Sequence, residues 1–280
     1  MRTGLTTLLA IASALLSGCG GGDAGKTLTV KGSDTMVALG GRWAEQFMLE
    51  HRGVVVQVMG GGSGTGINAL VNGGTDICQS SRPMTDKERA QVKQRFGKEV
   101  KEIPVALDGI TIYVNETNRT PSVTLAQLKA VYTGKITNWK ELGGEDLTIV
   151  AYGRENNSGT YMYFKEHVLG GDDFAVSVQA LQGTGGIVSA VSKDERAIGY
   201  GGVGYAVKVR ELPVRKDESS DPVLPTEENV VSGKYPISRS LYFYTVGEPE
   251  GLTKEYIDWV LSPEGQKICK HEGYFPVARQ

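Results

Sequence analysis

The stretch VVVQVMGGGSGTGINALVNGG, residues 54–74, decides how the chain is read. VVVQVM has the β-branched content of a strand, GGGSGTG (60–66) is a glycine-rich loop, and INALVNGG is helix-like. The start of a helix carries unpaired N–H groups and about half a positive charge, so it attracts an anion. Glycine there lets a ligand come close to the backbone. The nucleotide versions of such a loop do not fit. No Lys follows the glycines as a P-loop requires, and Asp76 comes too early for the ribose partner of a G-x-G-x-x-G fingerprint. A G-x-S-x-G nucleophile elbow is excluded as well, because Thr65 stands where its second glycine belongs.

Working outward, strands and helices alternate. LTVKG (28–32) reads as a strand before a helix in which Met36, Leu39, Trp43 and Phe47 share one face. TDICQSSRP (75–83) holds a short strand ahead of the polar helix MTDKERAQVKQRFG, and EIPVALDGITIYVN (102–115) is a long strand run. TLAQLKAVYTGK is a helix, LTIVAYGR a strand, SGTYMYFKEHVL a helix, and AIGYGGVGYAVKVREL carries further strands before closing helices from 251 onward. The alternation predicts an α/β protein with largely parallel sheets. At 280 residues the chain suffices for two modest domains or one large one.

Three strand-to-helix turns carry the same triplet: Ser33-Asp34-Thr35, Ser63-Gly64-Thr65 and Ser158-Gly159-Thr160. Each such triplet taken alone reads as an N-cap, since Ser and Thr cap helices everywhere. Ser122-Val123-Thr124 illustrates that, with Thr124 three residues before Gln127 in capping-box spacing. Three after strands point instead to one anion, because ligands of open α/β sheets bind at the carboxyl ends of strands. Arg154, four residues before Ser158, and Arg82 in QSSRPM add guanidinium donors suited to an oxyanion.

Bulk composition narrows the function. A net charge of −2, with 40% hydrophobic and 22% charged residues, suits a globular protein and argues against a nucleic-acid binder. Glycine, at 38 of 280 residues, is about twice its usual share and falls in short clusters. The three histidines (51, 167, 271) lack ligand spacing, so no metal site is expected, and no His accompanies the serines as a hydrolase would need. Met1-Arg2, the apolar run 5–16 and LSGC (16–19) resemble a bacterial lipoprotein signal peptide with its lipobox. The expectation is export, cleavage after residue 18, a diacylglycerol on Cys19 and a flexible tether over 19–26. Export makes Cys78 and Cys269 candidates for a disulfide, and equally for two small buried residues.

GSDTM, GGGSGTGI, TDICQSSRP, ALDGI, ITNWKEL, GRENNSGT, IGYGGVGYA, SPEGQ and GYFPV follow one another in the order seen in phosphate-binding proteins of bacterial ABC importers, within the periplasmic binding protein class, and the chain resembles that family over most of 27–280. The resemblance implies two class II-like α/β lobes, 27–105 plus 241–280 and 106–240, joined by two crossing strands near 104–111 and 236–246, with Cys78 and Cys269 in one lobe. It implies a dehydrated phosphate held by Thr35 and the Met36 N–H, Ser63, Arg154, Ser158, Gly159 and Thr160. Where better-known members place an Asp acceptor for the protonated anion, this chain has Ser81 followed by Arg82, so the acceptor falls to Asp34, to Asp108 or to none. The resemblance further implies a monomer without cofactor or catalysis, partnered by permease subunits. Other tetrahedral oxyanions (sulfate, molybdate, a phosphonate) and an exported phosphatase stand as alternatives.

Overall fold

The computed structural model describes residues 26–277, so the expected signal segment 1–18, Cys19 and all of the tether except Lys26 lie outside the described residues. The first part of the chain runs β1 (Lys26–Gly32), a 3-10 turn (Asp34–Met36), α1 (Val37–Glu50), β2 (Val54–Met59), α2 (Ser63–Asn72), β3 (Ile77–Ser80) and α3 (Asp86–Phe96). The long β4 (Val100–Val114) leads into β5 (Val123–Thr124), α4 (Leu125–Tyr132), β6 (Val150–Arg154), α5 (Gly159–His167), β7 (Gln179–Leu181), α6 (Gly183–Val191) and β8 (Ala197–Gly202). Then come β9 (Arg210–Leu212), β10 (Val214–Arg215), α7 (Glu227–Val231), β11 (Ser238–Val246), α8 (Gly251–Val260) and α9 (Pro263–His271).

One sheet runs β2-β1-β3-β11-β4-β8-β6-β7, with β9 also on β4, while β10 and β5 pair separately. Its flanks are parallel, as expected: β1 with β2 and β3, and β6 with β7 and β8. Its centre corrects the expectation of a largely parallel sheet, since β11 is antiparallel to β3 and β4, and β4 is antiparallel to β8 and β9. The reason is topological. A chain that crosses from one lobe to the other on β4 returns on β11, and two neighbouring strands of opposite travel pair antiparallel. The first part of β4 (100–109) pairs with β11, and its last part (110–114) pairs with β8 and β9, so this strand belongs to both lobes. Their shared register slips between Leu241 and Tyr242, opposite Val105, beside Pro104, which has no N–H to give the ladder.

Two-lobed α/β architecture of the periplasmic binding protein type follows, with β4 and β11 as the crossing pair. Apolar cores form on both sides of it. Trp43, Phe47, Phe243 and Tyr256 pack under α1 and α8, and Tyr132, Trp139, Phe164 and Tyr200 pack in the other lobe. The helical face expected from Met36, Leu39, Trp43 and Phe47 is fully buried. Trp43 also donates its indole N–H to the Gly265 carbonyl at 2.7 Å, tying α1 to α9. The capping box expected at Thr124 and Gln127 is present. No helix of the described residues is long and apolar enough to cross a membrane.

Of the two readings left open for the cysteines, two small buried residues is the one the structure shows. Cys78 and Cys269 are both free and buried. Adjacent strand residues point to opposite faces. Ile77 joins the core that contains Cys269, so Cys78 points away from it into a separate cluster with Ile67, Leu70 and Val92. Burial pushes the Cys269 thiol up to about 12 and holds Cys78 well above the ordinary thiol range, so neither is a thiolate at neutral pH. Thiol titration with peptide mapping should therefore find Cys78 and Cys269 unreactive in the native protein and both reactive in guanidinium; a linked Cys78–Cys269 peptide would refute the assignment.

Candidate anion-binding site

The three Ser-x-Thr turns meet at the crossing strands. Thr35, at the turn before α1, and Thr160, in the first turn of α5, bring their hydroxyl oxygens within 3.0 Å from opposite lobes. Ser63 opens α2 behind Gly62, whose φ of +89° requires glycine, and its hydroxyl lies 3.3 Å from that of Ser81. Ser81 donates its N–H to Ser63 Oγ (3.0 Å) and accepts from the Ser33 hydroxyl (2.8 Å). Gly159 closes over the two serines so tightly that a Cβ there would stand 2.3 Å from Ser63 Oγ and 2.7 Å from Ser81 Oγ. Thr35, Ser63, Ser81, Ser158 and Thr160 are all buried.

Some expected residues do other work. Ser158 is a true N-cap, accepting from the N–H groups of Thr160 (3.2 Å) and Tyr161 (3.3 Å). The Met36 N–H donates to the Ser33 carbonyl at 3.0 Å. Arg82 is turned away from the cluster: it forms a forked pair with Glu88 (2.7 and 2.9 Å) and donates to the Pro83 carbonyl. Glu88 belongs to the capping box of α3, so this arginine completes a helix start on the outer side.

Arg154 is 2% exposed and bridges the lobes. It donates to Asp34 on the first lobe (3.0 Å) and to Glu155 (2.9 and 3.0 Å) and Thr184 (2.9 Å) on the second. Burial works to raise the Glu155 pKa, but the Arg154 hydrogen bond and charge outweigh it and hold that carboxyl below its ordinary value. Asp34 also accepts from the Gly61 N–H at 2.8 Å. Asn157 adds a second tie, donating to the Gly61 carbonyl (2.9 Å) and Thr65 (3.2 Å) while its own carbonyl accepts from the Gly64 N–H (2.9 Å). Tyr205 adds a third, donating to the Asp34 carbonyl (2.8 Å), while Tyr274 braces the Thr35 carbonyl (2.6 Å) from the same lobe. The lobes are closed on one another.

Sequence reasoning missed Arg239. It sits on β11 opposite Asp108 on β4, is 6% exposed, and donates to Asp108 Oδ2 from Nε (3.0 Å) and Nη2 (2.8 Å). Its Nη1 donates to the Ser81 carbonyl (2.9 Å), and its Nη2 reaches Thr160 Oγ1 (3.0 Å) and Thr35 Oγ1 (3.4 Å). Asp108 is fully buried and also accepts from the Val203 N–H at 3.1 Å. Burial raises its pKa against the opposing pull of Arg239 and Val203. The available signal was alternation: Arg239 shares the inward face of β11 with Leu241 and Phe243, where an unpaired charge would not be tolerated. Thr184, at the start of α6, was missed as well. Among the described residues no group of His, Cys, Asp and Glu is arranged to hold a metal.

A PBP superfamily domain matches residues 19–264. The phosphate-binding protein PstS of Pseudomonas aeruginosa is 32% identical over 267 residues, covering 89% of this chain and 83% of the relative. That of Bacillus subtilis is 34% identical over 254 residues, covering 90% and 81%. A Clostridium perfringens protein, crystallised with bound phosphate and described as a candidate phosphate ABC transporter substrate-binding protein, superposes with a TM-score of 0.82 at 34% identity over 90% of this chain and 100% of that one. An ABC-type phosphate transport receptor of Vibrio cholerae gives a TM-score of 0.72 at 28% identity, covering 89% and 100%. The chain belongs to the PBP superfamily, in the family of the PstS phosphate-binding proteins.

Proposed function

We propose that this protein captures inorganic phosphate outside the cytoplasm and delivers it to an ABC-type importer. The observation that carries the reading is the meeting of Thr35 and Thr160 hydroxyls from opposite lobes at 3.0 Å, beside Ser63 at the start of α2 and Ser81 just past the end of β3. An anion there receives hydroxyl and backbone donors from both lobes, so binding and closure are one event. The names of the relatives, all phosphate binders, agree with that chemistry. In this reading Thr35, Ser63, Ser81, Gly159 and Thr160 surround the anion, Ser158 fixes the α5 start, and Arg154 supplies charge and closure. The lobes divide as 27–105 with 241–280 and 106–240, a partition supported by the crossing of β4 and β11.

Charge-assisted hydrogen bonds contribute about 1.5–3 kcal/mol each. Micromolar capture needs only about 8 kcal/mol in total, so several such donors suffice after desolvation and closure. The chain acts as a monomer without cofactor, bound to the membrane through a lipid on Cys19 and docking on permease subunits. It is not an enzyme. In this reading the serines of the cluster bond one another, Ser33 to Ser81 and Ser81 to Ser63, and none of them is paired with a histidine base.

A second reading, a binding protein for another tetrahedral oxyanion such as sulfate, is favoured by one observation. Asp34 and Asp108 both spend their carboxylates on protein donors, which leaves the proton of phosphate without a dedicated carboxylate acceptor. Titration calorimetry with phosphate, sulfate and molybdate separates the two readings.

Arg154→Ala should weaken phosphate binding at least about tenfold, because Asp34 and Glu155 lose their shared partner; unchanged affinity by calorimetry would sink the site assignment. Gly159→Ala should keep the fold yet lose the rise in melting temperature that phosphate produces, since its methyl group collides with Ser63 and Ser81. Turnover of p-nitrophenyl phosphate would overturn the binding-protein reading altogether.

A further inference from the structure

Besides the arginine contacts, the bonds that join the two lobes are of two kinds. One kind runs through the hydroxyl cluster, where Thr35 meets Thr160 and Gly159 closes over Ser63 and Ser81. The other kind lies beside the cluster and uses none of those groups. Asn157 reaches the glycine loop: its side-chain amide donates to the Gly61 carbonyl (2.9 Å) and to Thr65 Oγ1 (3.2 Å), and its backbone carbonyl accepts from the Gly64 N–H (2.9 Å). The Tyr205 hydroxyl donates to the Asp34 carbonyl (2.8 Å), and the Ala38 N–H turns toward the same oxygen.

The glycine loop is shaped to seat residue 157. Gly62 has a φ of +89°, and a Cβ on it would stand 2.7 Å from the Asn157 carbonyl. The Gly64 N–H, at the start of α2 where an anion could take it, is spent on that carbonyl instead. Gly61, Gly64, Thr65, Asp34 and Ala38 all come from the 27–105 part of the chain, whereas Asn157 and Tyr205 come from 106–240. Opening the lobes therefore breaks this second kind of bond together with the first. A bond made only in the closed form deepens that form and leaves the open one as it was. Since a trapped anion leaves only after opening, such bonds act on its release more than on its capture.

We infer that Asn157 and Tyr205 are latches, positioning residues that set how long the closed lobes retain the anion without touching it. The inference rests on the phosphate reading above.

Release of 32P-labelled phosphate into excess unlabelled phosphate, together with the 31P resonance of the bound anion, tests it. Asn157→Ala removes two of these bonds and keeps the backbone one, and release should become about tenfold faster. Tyr205→Phe removes a single hydroxyl and should speed release about fivefold. In both variants the 31P resonance of the bound anion and the melting temperature of the ligand-free protein should stay at their wild-type values, because neither the shell of the anion nor the open form uses these bonds. Wild-type protein that takes up no phosphate overturns the ligand reading and this inference with it. Wild-type protein that binds, beside variants that release phosphate at the wild-type rate, overturns this inference alone. So does a displaced 31P resonance or a lowered ligand-free melting temperature, since the two residues would then act on the anion or on the fold.

Discussion

The antiparallel pairing of β4 with β11 is the constraint on which the rest depends. Those strands are the centre of the sheet, and their register sets Arg239 directly opposite Asp108. A buried carboxylate and guanidinium are costly to desolvate and hold only where each satisfies the other and the remaining donors find partners. Here they do: Val203, Ser81, Thr35 and Thr160 complete the network. Slipping the register by one residue would turn both charges to opposite faces and leave each alone. The pair therefore specifies the alignment of the strands that join the lobes, and the same alignment presents a cation to the site.

Around that centre, each lobe contributes helix starts. Their shared physics is the unpaired N–H groups of the first turn, and the triplets divide the labour. Ser158 caps, Ser63 bonds Ser81 at the end of β3, and Thr35 faces Thr160. Glycine enters for contact between the lobes as much as for a ligand. A Cβ on Gly62 would stand 2.7 Å from the Asn157 carbonyl, and Gly64 donates to that same carbonyl. The loop that resembles a nucleotide cradle is thus a surface on which the second lobe closes.

Much of this was legible in the residues. Strand–helix alternation, the buried face of α1, the three converging turns and the capping role of Thr124 all follow from local periodicity and local hydrogen bonding. Arg82 was misleading, because an arginine beside a hydroxyl-rich turn has two attractive partners within reach, an anion and the Glu88 of the next helix. Six residues of separation cannot tell which direction the side chain takes.

The sequence by itself determined the class of fold, an anion as the kind of ligand, and the turns that come together in the fold, because helix periodicity, capping and glycine conformations are properties of neighbouring residues. Only the tertiary structure decided which charges face which. Arg239 lies 131 residues from Asp108 and 204 from Thr35, and Arg154 lies 120 from Asp34. Those pairings arise from strand register and lobe closure, which no local pattern encodes. The same holds for Cys78 and Cys269, kept apart by the two faces of one sheet.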